Sequence, residues 1–200
     1  MSAKERLNTP KDRDRKPLLL VDIDGVVSLF APAGAPGVSG GGGAPHALAG
    51  GHAGEADAIE GSFHAIEGIP HFLSSTAAAH LLGLAREFEL VWASGWEEKA
   101  NEHLPRLLGL PAALPFIPFS RSSSLTRRTP RAHWKLASIT AYVGARPLAW
   151  VDDAFNAACH EWASARGAPT LLVGTLPERG LTSREAGTLH RWVRSLEASR

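Results

Sequence analysis

Short apolar runs alternate with segments of helical periodicity along most of the chain. Five runs bounded by turn-forming residues predict strands at Leu18–Asp22, Glu89–Ser94, Phe116–Phe119, Pro147–Asp152 and Thr170–Val173. Helical patterns lie at Ser75–Phe88, Glu97–Leu108, Ala132–Val143, Ala154–Arg166 and Ser183–Glu197. The runs are apolar along their whole length, which is typical of parallel strands covered on both faces. The pattern therefore predicts a doubly wound α/β domain with right-handed crossovers.

Two segments have compositions that do not suit a packed core. Residues 1–16 are charged and lack a hydrophobic period, which predicts a disordered tail. Residues 31–54 are mostly Ala, Gly and Pro, and they bury too little surface to offset the entropy of ordering. We therefore expect one domain over residues 17–200 with a flexible insert at 31–54. The stretch that follows the insert, "IEGSFHAIEGIPHFL", predicts a single hairpin that turns near Glu67–Gly68.

Composition narrows the cellular setting. The net charge of the 200 residues is +1, so no bulk field draws the chain to nucleic acid or to a membrane surface. The single cysteine, Cys159, excludes a disulfide framework and fits a reducing compartment. No apolar stretch approaches the roughly 20 residues that cross a bilayer. We expect a cytoplasmic protein without a membrane partner.

Polar side chains follow three of the predicted strands. These groups are Asp22 and Asp24, then Ser94 and Gly95, then Asp152 and Asp153. Parallel strands bring their carboxyl ends to one edge, where the ligands of such sheets bind. Two carboxylates about 5 Å apart cost on the order of 3 kcal/mol at an effective dielectric near 20, so raised pKa values or a bound cation are expected. Oxygen donors favour a hard ion, and Mg²⁺ is the usual one beside phosphate.

The same residue types suit phosphoryl transfer. A carboxylate such as Asp22 can attack phosphorus, and a second one two residues later can protonate the leaving oxygen and then activate water. Ser94, with the backbone amides that follow it, offers neutral donors to phosphate oxygens. Lys135, near the start of a helix, can balance the charge of the transferring group. Arg131 or Arg128 is the alternative for that role.

Four segments in order resemble a known family. "LLLVDIDGVV", "LVWASGW", the lysine of "HWKL" and "LAWVDDAF" resemble the four motifs of the haloacid dehalogenase-like (HAD) hydrolase superfamily, over residues 17 to 175. The resemblance implies a three-layer, Rossmann-like fold with a five-stranded parallel sheet in spatial order 3-2-1-4-5. Members usually carry a cap after the first or third strand, and this chain has room only for a minimal hairpin cap.

The resemblance also implies roles for individual residues. Asp22 would be the nucleophile and a metal ligand, and Asp24 the general acid/base that also gives its backbone carbonyl to the metal. Ser94, Gly95 and Lys135 would hold the phosphoryl group. Asp152 and Asp153 would complete a Mg²⁺ site, with Asp153 the preferred direct ligand although either can serve. Dehalogenase members lack the second aspartate, so Asp24 indicates a phosphatase or phosphotransferase.

Three longer stretches point to a substrate class. "ELVWASGWEEKAN", "LLGLP" and "LLVGTLPERGLTSREAGTLHRW" are similar to the HAD domains of the "Swiss Army Knife" RNA repair group, which are predicted to act on nucleic-acid ends. A thin cap suits a macromolecular end, and a basic run with Arg128 and Arg131 can grip a phosphodiester backbone. Trp96 or Trp134 is a candidate for stacking on a base, and His133 for touching the substrate. We expect a phosphorylated RNA or DNA end, or another macromolecular phosphate.

Other readings of the same residues stay open. One alternative is the same chemistry on a small phosphorylated metabolite or nucleotide, against which the thin cap argues mildly. A second is a degenerate HAD fold used as a binding module without catalysis, against which the intact set of site residues argues. Ser94 can be the cap of the helix predicted from Glu97, and Asp152 or Asp153 can cap the helix predicted from Ala154. Trp150 is predicted to lie in the core.

Overall fold

The computed structural model describes residues 16–30, 58–119 and 133–198. The predicted tail, apart from Lys16, and the predicted flexible insert lie outside these ranges. Arg128 and Arg131 also lie outside the described residues, so their predicted contacts with substrate stay predictions. Within the described ranges, no helix has the length and apolar character needed to cross a bilayer.

All five predicted helices and four of the five predicted strands form among the described residues, and three strands of a second sheet lie between the first predicted strand and the first helix. The strands are β1 (Leu18–Val21), β2 (Ser28–Leu29), β3 (Gly61–Ile66), β4 (Ile69–Ser74), β5 (Glu89–Trp92), β6 (Leu148–Asp152) and β7 (Thr170–Gly174). The helices are α1 (Ser75–Leu84), α2 (Lys99–Leu108), α3 (Leu136–Val143), α4 (Ala157–Ala165) and α5 (Ser183–Ala198). The helices predicted from Glu97 and Ala154 begin later, at Lys99 and Ala157. Asn156 caps α4, since its side chain accepts the amide of Cys159.

Four parallel strands form the central sheet in the order β5-β1-β6-β7. All four residues of β1 are fully buried, and successive side chains point to opposite faces. Leu19 packs in a cluster with residues of α1 and α5, whereas Leu20 packs in a second cluster with residues of α3 and α4. Each buried leucine contributes about 1.5–3 kcal/mol through removal of its apolar surface from water. The predicted α/β class, with both faces of a parallel sheet covered, is confirmed.

The expected five-stranded order 3-2-1-4-5 is wrong for the described residues, because the predicted strand at Phe116–Phe119 does not form. Phe116 makes one isolated parallel bridge to Trp92, with the amide of Ile117 donating to the Trp92 carbonyl at 2.9 Å. Pro115 has no N–H for the preceding rung of a ladder. The Phe119 amide donates instead to Glu97 Oε1 at 2.7 Å. A missing donor at Pro115 and a side-chain partner for the Phe119 amide therefore limit this segment to a single bridge.

The predicted hairpin is confirmed, but it belongs to a larger sheet. β3 and β4 pair through a turn at Glu67–Gly68, where both residues have the positive φ of a type I′ turn, 51° and 80°. β2 follows the loop after β1 and pairs with β4, so the antiparallel order is β2-β4-β3. The sequence predicted only the hairpin because β2 is two residues long and pairs across the insert.

The loop between β1 and β2 is fixed by the segment that follows β7. Thr175 Oγ1 donates to the Gly25 carbonyl at 2.8 Å, and the Leu181 amide donates to the Val26 carbonyl at 3.0 Å. Gly180 makes this contact possible, since a Cβ there would lie 2.3 Å from the Val26 oxygen. The loop that carries the two predicted catalytic aspartates is therefore attached to the far edge of the parallel sheet.

Candidate active site

The carboxyl ends of β1 and β6 meet, and this brings three carboxylates together. Val21 pairs with Val151 in parallel register, and the Asp22 amide donates to the Val151 carbonyl at 3.0 Å. Asp22, Asp152 and Asp153 each offer an oxygen, and these atoms lie within 4.8 Å of one another. Such a group of carboxylates can hold a metal ion. The predicted convergence of the two strand ends is what the sheet produces.

Lys135 lies between two of these carboxylates. Its Nζ is 2.7 Å from Asp22 Oδ2 and 2.7 Å from Asp152 Oδ2, and the side chain is only 3% exposed. The residue directly precedes α3, so the helix start delivers the ammonium to the strand ends. One ammonium offsets one of the three negative charges when all the acids are ionised. The cluster therefore keeps a negative surplus that favours a further cation.

Asp152 and Asp153 occupy different environments although they are neighbours in sequence. Asp152 is fully buried, and its Oδ2 accepts both Lys135 Nζ and Trp150 Nε1, the latter at 3.1 Å. Its Oδ1 accepts the amide of Ala154 at 3.0 Å. Asp153 is half-buried. Protein donors engage both oxygens of Asp152, and this geometry favours Asp153 as the direct ligand.

Gly25 has a steric role that the sequence did not predict. A Cβ at this position would lie 2.3 Å from Asp153 Oδ2, and the residue has a φ of +73°. Asp153 directly follows β6 and lies about 130 residues further along the chain, so no local pattern indicates this contact.

Burial makes the negative charge of this cluster costly. It raises the pKa of Asp22 to about 6, with Lys135 opposing the rise and Asp152 adding to it. Burial also raises the pKa of the Asp153 carboxyl, and the neighbouring Asp152 contributes in the same direction. A proton or a bound cation relieves this cost.

Asp24 accepts a hydrogen bond from Trp96, a residue for which the sequence predicted a different role. Its Oδ2 accepts the indole N–H of Trp96 at 3.0 Å, and both residues are half-buried. Trp96 was predicted to stack on a base. Its position two residues after Ser94 indicated that it lies near the site, but no sequence signal indicated Asp24 as its partner.

Ser94 and Gly95 lie at the same edge of the sheet. The Ala93 amide donates to the Val21 carbonyl at 2.8 Å, which sets Ser94 beside the end of β1. Ser94 is 1% exposed, and Gly95 is exposed. Ser94 is not the cap of α2, because the cap position is Glu98. Its hydroxyl oxygen accepts the Trp96 amide at 3.4 Å, and its own O–H remains a possible donor to a ligand.

His133 packs beneath the site. It is buried, its ring meets Trp150 edge-on at 5.3 Å, and burial lowers the pKa of its imidazole. Trp150 is fully buried, as predicted for a core residue, but its N–H also serves Asp152. His133 therefore packs against the core two residues before Lys135. Its predicted contact with substrate stays a prediction.

A groove opens beside Gly95 and Trp96. Its volume is about 250 Å³, and it lies between the β3–β4 hairpin and the start of α2. Its lining combines apolar, aromatic and charged side chains: Ile66, Glu67, Ile69, His71, Gly95, Trp96, Lys99 and His103. Because the lining comes from two separate segments, the hairpin and residues 95–103, the sequence pattern did not reveal the groove.

Comparison with protein-family models finds no match for this chain. Comparison with curated proteins finds no match either.

Replacement of Lys135 by Met should strongly destabilise the folded protein. Two buried carboxylates lose their ammonium partner, and breaking such a pair costs on the order of 3–5 kcal/mol. The loss should shrink as the pH falls towards about 6, because Asp22 of the variant, no longer having Lys135 to lower its pKa, takes up a proton above that pH. Urea unfolding of the metal-free protein at pH 7.5 and pH 5 measures both effects.

Lys99→Met is the matched control for this substitution. Lys99 pairs with Glu67, but the two side chains are 57% and 59% exposed, so the pair contributes little. Equal effects of the two lysine substitutions would contradict the assigned importance of the buried site. The double variant Lys135→Met, Asp22→Asn should recover part of the stability that Lys135→Met loses.

Proposed function

We propose that this protein is a Mg²⁺-dependent phosphatase of the HAD-like superfamily that works through a phosphorylated Asp22. The observation that carries the proposal is that Asp22, Lys135 and Ser94 lie at the same edge of the sheet as Asp152 and Asp153, the acids at the end of β6. Each residue type has a distinct use in phosphoryl transfer. A binding module would have no need of a costly buried cluster of acids whose charges are only partly balanced.

The donor set fits Mg²⁺. Hard divalent cations prefer oxygen ligands and bind beside phosphate through one or two carboxylates. Asp22 and Asp153 would hold the ion together with the backbone carbonyl of Asp24. When bound, the ion would stabilise negative charge on the phosphate oxygens. Asp152 would position Lys135 instead of binding the ion directly.

Asp22 and Asp24 would divide the reaction between them. A carboxylate oxygen of Asp22 attacks phosphorus, the ester P–O bond breaks, and Asp24 gives its proton to the departing oxygen, which leaves as an alcohol. Asp24, now ionised, then takes a proton from water as that water attacks phosphorus. The bond between phosphorus and Asp22 breaks, and inorganic phosphate leaves. Water is the only co-reactant, and Asp24 ends the cycle protonated, as it began.

Ser94, Gly95 and Lys135 would hold the phosphoryl group during both steps. The Ser94 hydroxyl and the exposed Gly95 amide are donors, and the buried Lys135 ammonium lies 2.7 Å from the proposed nucleophile. Fixed donors aimed at the transferring group stabilise the charge that develops in the transition state.

The substrate proposal rests on the size of the groove beside the site. Its volume of about 250 Å³ is smaller than the 300–1,000 Å³ typical of pockets for drug-sized ligands. A groove of this size has room for one terminal group, which favours a phosphorylated end of a macromolecule. The resemblance to RNA repair domains supports a nucleic-acid end.

Asp22→Asn should abolish turnover and leave the fold intact. The amide is isosteric with the carboxylate, but it is a poor nucleophile and carries no charge. Phosphate release from p-nitrophenyl phosphate measures activity, and circular dichroism checks the fold. Asp22→Asn turnover close to that of the wild type would refute the assignment of the nucleophile.

Mg²⁺ should stabilise the protein in a pH-dependent manner. The pKa of Asp22 is raised from 3.8 to about 6, so the folded state holds that proton more tightly than the unfolded chain. This stabilisation of the metal-free protein is complete below pH 4 and is lost as the pH rises through about 6. The ion competes with the same proton, so its affinity should be about tenfold weaker at pH 5 than at pH 7.5.

Thermal melts with and without MgCl₂ at the two pH values measure this effect. Asp153→Asn is the control, and the Mg²⁺-induced rise in Tm should largely disappear in it. Undiminished turnover in excess EDTA, or a rise in Tm that is equal at both pH values, would contradict the proposed ion site.

A substrate panel tests the proposed class of substrate. It compares 3′-phosphorylated RNA and DNA, 5′-phosphorylated ends, mononucleotides and sugar phosphates, with Asp22→Asn as the blank. We expect the highest kcat/KM for an oligonucleotide end. A sugar phosphate that outperforms every oligonucleotide would assign the enzyme to small-metabolite chemistry.

A further inference from the structure

Trp96 connects the proposed acid/base to the small antiparallel sheet. Its indole N–H donates to Asp24 Oδ2 at 3.0 Å, and its ring meets the imidazole of His71 edge-on at 4.9 Å and 73°. His71 lies on β4, and its Nδ1 is 3.0 Å from the hydroxyl of Ser28 on β2. The series of contacts thus begins at Asp24 and returns to the chain four residues later, at the start of β2.

The indole restricts the chemistry of the carboxyl that it touches. Trp Nε1 only donates hydrogen bonds, so Asp24 Oδ2 must act as the acceptor. In the acid form of a carboxyl group the carbonyl oxygen is the better acceptor, and the proton then sits on the other oxygen. The hydrogen bond therefore favours one of the two possible protonated forms of Asp24, with its proton on Oδ1.

We propose that Trp96 is a positioning residue that presents the proton of Asp24 to the leaving oxygen. This inference rests on the proposed phosphatase activity and adds a residue to it. His71, which is hydrogen-bonded to Ser28, contacts the indole and limits its rotation. The orientation of the Asp24 carboxyl group is thereby fixed. Trp96 also lines the groove beside the site, so the side chain that orients the acid borders the space next to it.

A pair of matched esters separates this role from a general structural one. Loss of p-nitrophenolate needs little protonation, whereas loss of the far more basic p-nitrobenzyl alkoxide needs the acid. The value of kcat/KM covers only the steps up to release of the alcohol, so the later base role of Asp24 does not enter. Trp96→Phe should lower kcat/KM for p-nitrobenzyl phosphate at least tenfold more than for p-nitrophenyl phosphate.

Three further variants control this result. Trp162→Phe removes another indole N–H, one that donates to Thr140 Oγ1 at 2.8 Å, and should leave the ratio of the two kcat/KM values unchanged. In an Asp24→Asn background, Trp96→Phe should have no further effect on the ratio. His71→Phe keeps a ring against Trp96 and removes the bond to Ser28. It should lower the same ratio by a smaller factor, and it provides the test if Trp96→Phe fails to fold.

The possible failures are distinguishable. A wild-type protein that hydrolyses neither ester would refute the proposed function itself. A wild type that hydrolyses both, combined with an equal fall for both esters in Trp96→Phe, would overturn only the positioning role.

Discussion

One ammonium between two buried carboxylates is the interaction on which the candidate site depends. Lys135 lies 2.7 Å from an oxygen of Asp22 and 2.7 Å from an oxygen of Asp152, and all three side chains are almost fully removed from water. Without that ammonium, β1 and β6 would end in unpaired negative charges in a medium of low dielectric. With it, the two strands can pair to their carboxyl ends and carry acids there. The geometry of the cluster follows from that compensation.

The single ammonium of Lys135 does not balance all the negative charge of the cluster, so the site differs from a structural ion pair. A third carboxylate, Asp153, borders the cluster against Gly25, and burial keeps the pKa values of Asp22 and Asp153 raised. The oxygens of these three carboxylates lie close enough together to hold a metal ion, which would offset the surplus. The phosphatase proposal is one chemical use of that surplus.

The small antiparallel sheet does more than cover this edge. β2 continues directly from the loop that carries Asp22 and Asp24, and β4 carries His71, which contacts Trp96. The elements that border the groove are thus continuous with those that hold the acidic side chains. Shape beside the site and orientation within it are consequently coupled through a few residues.

The sequence by itself determined the α/β class, the hairpin at Glu67–Gly68 and the polar groups at the strand ends, because these follow from local periodicity and turn chemistry. It did not reveal that Pro115 and Glu97 stop the fifth strand, since that depends on which backbone groups find partners. The contacts of Asp153 with Gly25, of Trp96 with Asp24 and of Trp150 with Asp152 were decided by the tertiary structure. Each joins side chains through packing geometry, which no one-dimensional spacing encodes.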